Sequence, residues 1–132
     1  MQYIFRDIDD ISMLLNEGAL LIGREMGHSY STTDCVLEAY GDNCHPVHGL
    51  IKSNIISLKT FAENEFVKIQ NIFLKYRSSL SIADCSVIYC AIATKGVLVT
   101  SEKILLSVGE AFNIKTSSSA LYFHNVKLKK TG

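Results

Sequence analysis

The stretch LSIADCSVIYCAIATKGVLVTSEK, residues 80–103, predicts a helix, a short strand and a polar turn in immediate succession. Small and apolar residues recur at helical spacing through its first half, and Ser81 with an acid three residues later forms the pattern of a capping box. Gly96 is expected to end the helix, since glycine readily takes the backbone conformation found there. The apolar run Val97–Val99 predicts a strand that is covered on both faces. Helix, strand and turn together are the repeating step of an α/β fold.

Two carboxylates flank this predicted strand. Asp84 lies in the first turn of the helix, and Glu102 follows the strand after two polar residues. Ligands of open α/β sheets bind beyond the carboxyl ends of the strands, so both acids are expected near a ligand-binding edge. Capping of the helix is the simpler interpretation of Asp84 taken alone. The acids elsewhere in the chain decide between these interpretations.

The overall composition indicates one soluble globular domain spanning residues 1–132. Of the 132 residues, 48% are hydrophobic and 20% are charged, which suits a single core. The formal net charge is zero, so polyanion binding needs a local basic patch or a metal ion. The chain starts without the pattern of a signal peptide, and no apolar run approaches the roughly 20 residues of a membrane span. Four cysteines without such a signal favour reduced thiols and a cytoplasmic location.

Two more acids follow predicted strands. Asp7 comes just after a short apolar run near the start of the chain. Glu38 lies in the first turns of a helix that follows a predicted strand at residues 30–32, with Thr33 or Asp34 as the cap. Strands that alternate with helices of about ten to fifteen residues predict an α/β fold with a mostly parallel sheet.

The remaining segments complete this alternation. Helices are predicted at residues 11–26, with a break at Gly18, and at 62–77; strands at 55–58 and 111–115; loops at 42–49 and 117–119; and either a helix or a strand at 121–126.

The cysteines do not suggest a site of their own. Cys44, His45 and His48 invite a zinc site, but no second paired-cysteine motif accompanies them, so a solvated loop is favoured. The other three cysteines lack a histidine and an acid at the spacing of an activated nucleophile. We expect them to be core thiols: Cys35, Cys85 and Cys90.

Four acids are therefore expected at one edge of the sheet: Asp7, Glu38, Asp84 and Glu102. Carboxylates placed side by side raise one another's pKa, so a bound divalent cation is the natural neutralising charge. Oxygen ligands suit Mg²⁺ or Mn²⁺ better than Zn²⁺. Such ions can clamp a phosphodiester and lower the pKa of an attacking water, which predicts metal-dependent phosphodiester hydrolysis.

Four segments carry a resemblance to a known family. They are YIFRDID at residues 3–9, VLEAY at 36–40, LSIADCSVIYCA at 80–91 and GVLVTSEKIL at 96–105. In this order and spacing they resemble the PIN-domain nucleases, including the VapC-type toxins of bacterial toxin–antitoxin pairs. The resemblance implies a three-layer α/β/α sandwich that binds Mg²⁺ or Mn²⁺ and hydrolyses RNA.

Carried over residue by residue, the resemblance assigns roles to particular side chains. It implies four catalytic acids: Asp7, Glu38, Asp84 and Glu102. Three of these are implied as metal ligands: Asp7, Asp84 and Glu102. Three neighbouring residues are implied to support the acid site: Asp9, Thr100 and Ser101. Two departures from the family pattern are that Glu102 replaces the usual aspartate and Asp9 replaces a small polar residue.

Partners and alternatives follow from the same comparison. The family implies an antitoxin protein as a partner, and small α/β domains often form homodimers through exposed apolar helices. One alternative is a catalytically inactive PIN-like module that binds a protein partner or RNA. A second alternative is a small regulatory domain whose acids are helix caps and surface charges.

Overall fold

The computed structural model describes residues 1–41 and 45–131. The strands within these ranges are β1 (Gln2–Phe5), β2 (Ser29–Thr33), β3 (Ile56–Lys59), β4 (Val97–Val99) and β5 (Lys115–Ser117). The helices are α1 (Ile8–Asn16), α2 (Ala19–Glu25), α3 (Asp34–Tyr40), α4 (His45–Lys52), α5 (Glu63–Tyr76), α6 (Ile82–Thr94), α7 (Lys103–Ala111) and α8 (Ser119–Thr131). The α/β fold expected from the sequence is confirmed.

The five strands form one sheet in the order β3-β2-β1-β4-β5. Each neighbouring pair is parallel. The first strand therefore lies at the centre, and the chain extends the sheet through β2 and β3 before it crosses to β4 and β5. This reversal creates a switch point between β1 and β4, where α/β proteins form a crevice at the carboxyl ends of their strands.

Helices flank the sheet on both faces. On one face, the rings of Tyr3 and Tyr30 contact the ring of Tyr122 from α8, and α8 also packs on α1 and α2. On the other face, the hydroxyl groups of Thr33 and Ser86 lie 2.7 Å apart, joining β2 to α6. Helix α6 crosses β1, β2 and β4, and it packs on α3 and α5. The resulting layers are those of the predicted three-layer sandwich.

The end of α6 differs from the expectation. Lys95 rather than Gly96 takes the left-handed conformation that ends the helix, with φ at 55°. Gly96 is needed because the chain passes close to β1. A Cβ atom at this position would lie 2.5 Å from Ile4 Cδ1 and 2.8 Å from the carbonyl oxygen of Gln2.

Two further predictions are corrected at the second half of the sheet. The strand predicted at residues 111–115 begins only at Lys115, because α7 continues to Ala111 and a turn through Asn113, with φ at 58°, follows it. The segment at 117–119 is no loop, since residue 117 ends β5 and residue 119 begins α8. The segment at 121–126 is helical.

The other boundaries lie close to the predictions, with one exception. The pattern at 11–26 forms two helices, separated at Gly18, where φ is 74°. Of the loop predicted at 42–49, residues 42–44 fall outside the described ranges and His45–Lys52 forms α4. None of the helices within residues 1–41 and 45–131 is long and apolar enough to span a membrane.

Candidate active site

A cleft of about 210 Å³ opens between the carboxyl ends of β1 and β4, at the switch point of the sheet. Three of the four predicted acids line it: Asp7, Asp84 and Glu102. The other lining residues are Arg6, Ser79, Leu80, Ile104 and Leu105. Folding therefore brings together three acids that are separated by up to 95 positions in the chain.

Asp7 lies directly beyond β1, at the N-cap position of α1. Its side chain makes no capping hydrogen bond, and Oδ1 accepts a long hydrogen bond of 3.5 Å from the hydroxyl of Tyr40. Burial raises the pKa of the Asp7 carboxyl, and the charges of Asp10 and Glu102 raise it further. The guanidinium of Arg6 acts in the opposite direction. Asp7 is thus a partly desolvated carboxylate in a field dominated by other acids.

Asp84 caps helix α6 and also binds Arg6 in the cleft. Its backbone N–H donates to Ser81 Oγ at 3.1 Å, and its Oδ2 accepts the backbone N–H of Ser81 at 2.8 Å, which completes the predicted capping box. Its other oxygen, Oδ1, accepts a hydrogen bond from Arg6 Nε at 2.5 Å. Helix capping therefore fixes the carboxylate at the edge of the cleft, so the capping interpretation is confirmed, and a ligand-binding role for Asp84 stays a prediction.

Glu102 reaches the cleft through a fixed turn after β4. The buried hydroxyl of Thr100 accepts the backbone N–H of Glu102 at 3.2 Å. The backbone N–H of Thr100 in turn donates to the carbonyl of Ser117 in β5 at 3.0 Å. Thr100 therefore holds the backbone that carries Glu102, whereas Ser101 between them is exposed. Catalytic support by Thr100 and Ser101 stays a prediction.

Glu38 lies apart from the other three acids. It is exposed on α3 and lines a separate cleft of about 420 Å³, together with Ser81 and Ala83. The reason is local: Thr33 caps α3 with a hydrogen bond from the backbone N–H of Val36, so Glu38 falls in the second turn, away from the end of β2. The two clefts adjoin at the N-terminus of α6, and a catalytic role for Glu38 stays a prediction.

Asp9 does not line the acid cleft. It is exposed in the first turn of α1, two residues beyond Asp7. An acid in the first turn of a helix interacts favourably with the helix dipole. The position therefore has a structural explanation, and its supporting role at the site stays a prediction.

Three neighbours of the cleft make contacts that the sequence did not predict. Arg6 and Tyr40 contact Asp84 and Asp7 through side-chain hydrogen bonds. Asp10 ties α1 to α8, because its Oδ1 accepts a hydrogen bond from Ser119 Oγ at 2.9 Å. For Arg6 a signal was present: it directly precedes Asp7 and continues the alternation of β1, so its side chain is expected beside the sheet.

The cysteines offer no nucleophile within the described residues. Cys85 and Cys90 are buried and Cys35 is half-buried. Burial raises the pKa of each of these three thiols to about 11. A thiol with such a pKa is protonated at neutral pH, so these residues are structural. Cys44 of the possible zinc motif lies outside the described residues.

A larger cavity of about 530 Å³ lies against α8. It is lined in part by Tyr3, His28, Lys115 and Tyr122. No aspartate or glutamate is among its lining residues in the described chain. It therefore does not offer the acid chemistry found at the switch point.

The acid cleft does not fit a metal ion in the arrangement observed. Its carboxylate oxygens are the donors that Mg²⁺ and Mn²⁺ prefer. However, no three acid, histidine or cysteine side chains among residues 1–41 and 45–131 are grouped so that they could hold an ion. Both oxygens of Asp84 already accept hydrogen bonds, one of them from a guanidinium. The donor chemistry is suitable, but the ion pair with Arg6 opposes a cation.

Comparison with known proteins supports the fold. No protein-family model matches the chain, and no curated protein matches it in sequence. The crystal structure of PAE2754 from Pyrobaculum aerophilum is similar with a TM-score of 0.62 at 14% identity, over 97% of this chain and 99% of that one. The structure of VapBC-1 from nontypeable Haemophilus influenzae is similar with a TM-score of 0.57 at 12% identity, over 91% of this chain and 99% of that one. At these identities the likeness supports a PIN-like fold and nothing finer.

Proposed function

We propose that this protein is a divalent-metal-dependent ribonuclease that hydrolyses phosphodiester bonds in RNA. The observation that carries the proposal is the convergence of Asp7, Asp84 and Glu102 on one cleft at the switch point of a parallel sheet. Ligand sites of α/β proteins lie at this place. The PIN-like fold and the similarity to the VapBC-1 structure add support.

The charge of the cleft supports metal dependence independently of any family. Three carboxylates face one guanidinium, that of Arg6, among the residues that line the cleft. The remaining negative charge repels a phosphodiester unless a cation neutralises it. Mg²⁺ or Mn²⁺ would supply this neutralisation and lower the pKa of a hydrolytic water when bound.

Other residues of the chain hold the acids of the cleft in position. The capping box fixes Asp84, and the Thr100 hydroxyl fixes the backbone of Glu102. Two exposed basic residues lie beside the cleft in sequence: Arg77 precedes its lining residues 79 and 80, and Lys103 follows Glu102. We assign these two side chains to contacts with RNA phosphates, which are independent of base sequence.

The proposal is tested by cleavage of single-stranded RNA with and without Mn²⁺. Wild-type protein is expected to cleave only with the metal, and Asp7→Asn and Asp84→Asn are expected to lose cleavage. Glu110→Gln is the matched control, because it removes an exposed acid from α7 outside the cleft. Cleavage without a divalent ion, or full activity in either cleft variant, would refute the proposal.

A second candidate is a catalytically inactive PIN-like module that binds RNA or a protein. The observation that favours it is the ion pair of Arg6 with Asp84, which neutralises one acid without a metal. Absence of Mn²⁺ binding at millimolar concentrations would select this module over the nuclease.

The proposed partners of this protein are an antitoxin protein and a second copy of the chain. The similarity to VapBC-1 supports an antitoxin protein as a partner, in a cytoplasmic toxin–antitoxin pair. A homodimer is supported by Val67 and Leu74, which are 50% and 61% exposed and lie seven residues apart on α5. Residues at this spacing share one face of a helix, so the pair forms an apolar strip.

A further inference from the structure

The backbone of Arg6 is fixed at the centre of the sheet edge. Its N–H donates to the carbonyl of Val99 at 3.3 Å, which extends the pairing of β1 with β4 by one residue. Side chains alternate along a strand, and Phe5 contacts Tyr30 on the α8 side of the sheet. The side chain of Arg6 is consequently directed to the α6 side, where the cleft and Asp84 lie.

The contact of Arg6 with Asp84 is partly desolvated. Nε and Oδ1 are 2.5 Å apart, and the two side chains are 15% and 17% exposed. Charge-assisted hydrogen bonds of this kind are among the strong polar contacts in proteins, and exclusion of water strengthens them. The pair is thus more than a screened surface contact.

Arg6 also acts on the rest of the cleft. It lines the same cleft as the carboxyl groups of Asp7 and Glu102. It is the single basic side chain among the described residues that line the cleft. In this structure the arginine therefore supplies the positive charge that the acid cluster requires.

We propose that Arg6 is an internal counter-ion, which a divalent cation must displace from Asp84 before it can bind in the cleft. This inference rests on the proposed function, since it concerns the same three acids. A cation on Oδ1 of Asp84 would face the guanidinium at close range and be repelled by it. The other oxygen, Oδ2, is held by the backbone N–H of Ser81 and stays in place when the arginine moves. Asp84 is thereby kept in position for the ion that replaces Arg6.

The test is a Mn²⁺ titration of the whole protein by calorimetry, without RNA. Arg6→Gln removes the competing charge and is expected to tighten Mn²⁺ binding about tenfold, the order of magnitude of the repulsion between like charges a few ångströms apart in a hydrated site. Arg6→Lys keeps the positive charge but lacks the planar guanidinium, so its Mn²⁺ affinity is expected to lie between those of the wild type and Arg6→Gln. Arg24→Gln is the matched control, because it removes the same charge from an exposed position on α2 and is expected to leave the affinity unchanged.

Equal or weaker Mn²⁺ binding by Arg6→Gln would overturn the inference. If Arg6→Gln does not fold, Arg6→Lys decides in its place, and an unchanged affinity of that variant overturns the inference. Equal tightening by Arg24→Gln would also overturn it, because net charge would then explain the effect.

RNA cleavage by the wild type separates the two proposals. If the wild type cleaves RNA with Mn²⁺ and Arg6→Gln binds the ion no more tightly, this inference alone fails. If Arg6→Gln binds Mn²⁺ more tightly and no protein cleaves RNA, the nuclease proposal alone fails. If none of the proteins binds Mn²⁺ or cleaves RNA, both fail.

Discussion

Two acids of the same cleft are expected to affect stability with opposite signs. Asp84 is paired with Arg6 and caps α6, so its charge stabilises the fold. Asp7 has a raised pKa because it is partly buried among other acids, so its charge opposes folding at neutral pH. Neutralising each acid by amide substitution therefore separates the two effects.

The magnitude for Asp84→Asn follows from its contacts. The asparagine side chain can still accept the Ser81 N–H, so most of the capping contribution of about 1 kcal/mol is kept. The hydrogen bond to a charged partner is lost, and such bonds contribute about 1.5–3 kcal/mol. We expect Asp84→Asn to lower the free energy of unfolding by about 2 kcal/mol.

For Asp7→Asn we expect the free energy of unfolding to rise at pH 7. The folded protein holds the proton of Asp7 more tightly than the unfolded chain does. The unfavourable contribution of Asp7 is therefore present above its raised pKa and disappears as the pH falls below its ordinary value. The difference in the free energy of unfolding between Asp7→Asn and the wild type should therefore become smaller as the pH falls.

Urea denaturation of wild type and both variants at several pH values measures these quantities, with Glu110→Gln as the exposed control. The reasoning would be refuted if both variants shifted stability in the same direction at pH 7. It would also be refuted if the gain in the free energy of unfolding of Asp7→Asn over the wild type became larger at lower pH.

Two further predictions concern packing and thiol chemistry. Gly96→Ala would place a methyl group against Ile4 and the backbone of Gln2, and is expected to destabilise the protein by about 1–3 kcal/mol; an unchanged urea midpoint would contradict this. In a Cys44→Ser background, the remaining thiols have a pKa of about 11 rather than 9.0, so their thiolate fraction is about a hundredfold lower. A disulfide reagent at pH 7.5 should therefore label them only on unfolding, and rapid labelling of the native protein would disprove the assignment.

Features set by neighbouring residues were predictable from the sequence. The capping box at Ser81 and Asp84 involves residues three apart, and the buried strand Val97–Val99 is a continuous apolar run. The strand β5 was displaced in the prediction because it is a short, polar edge strand, Lys115–Ser117, without an apolar pattern. Helix α4 was predicted as part of a loop because the segment 42–49 is polar and contains Pro46, although proline is compatible with the first turn of a helix.

Individual side-chain contacts between distant segments were not predictable. The pair of Arg6 and Asp84 joins residues 78 positions apart, and nothing near either one indicates the other. The position of Glu38 depends on where its helix starts and on how that helix is rotated. Sequence spacing placed Glu38 beside the other three acids, but its side chain lines a neighbouring cleft.

The convergence of three acids on one cation site is tested most directly by anomalous diffraction from crystals soaked in Mn²⁺. The account predicts a manganese peak between Asp7, Asp84 and Glu102, with the guanidinium of Arg6 moved away from Asp84. A crystal saturated with Mn²⁺ that shows no peak in this cleft, with Arg6 still bound to Asp84, would contradict it.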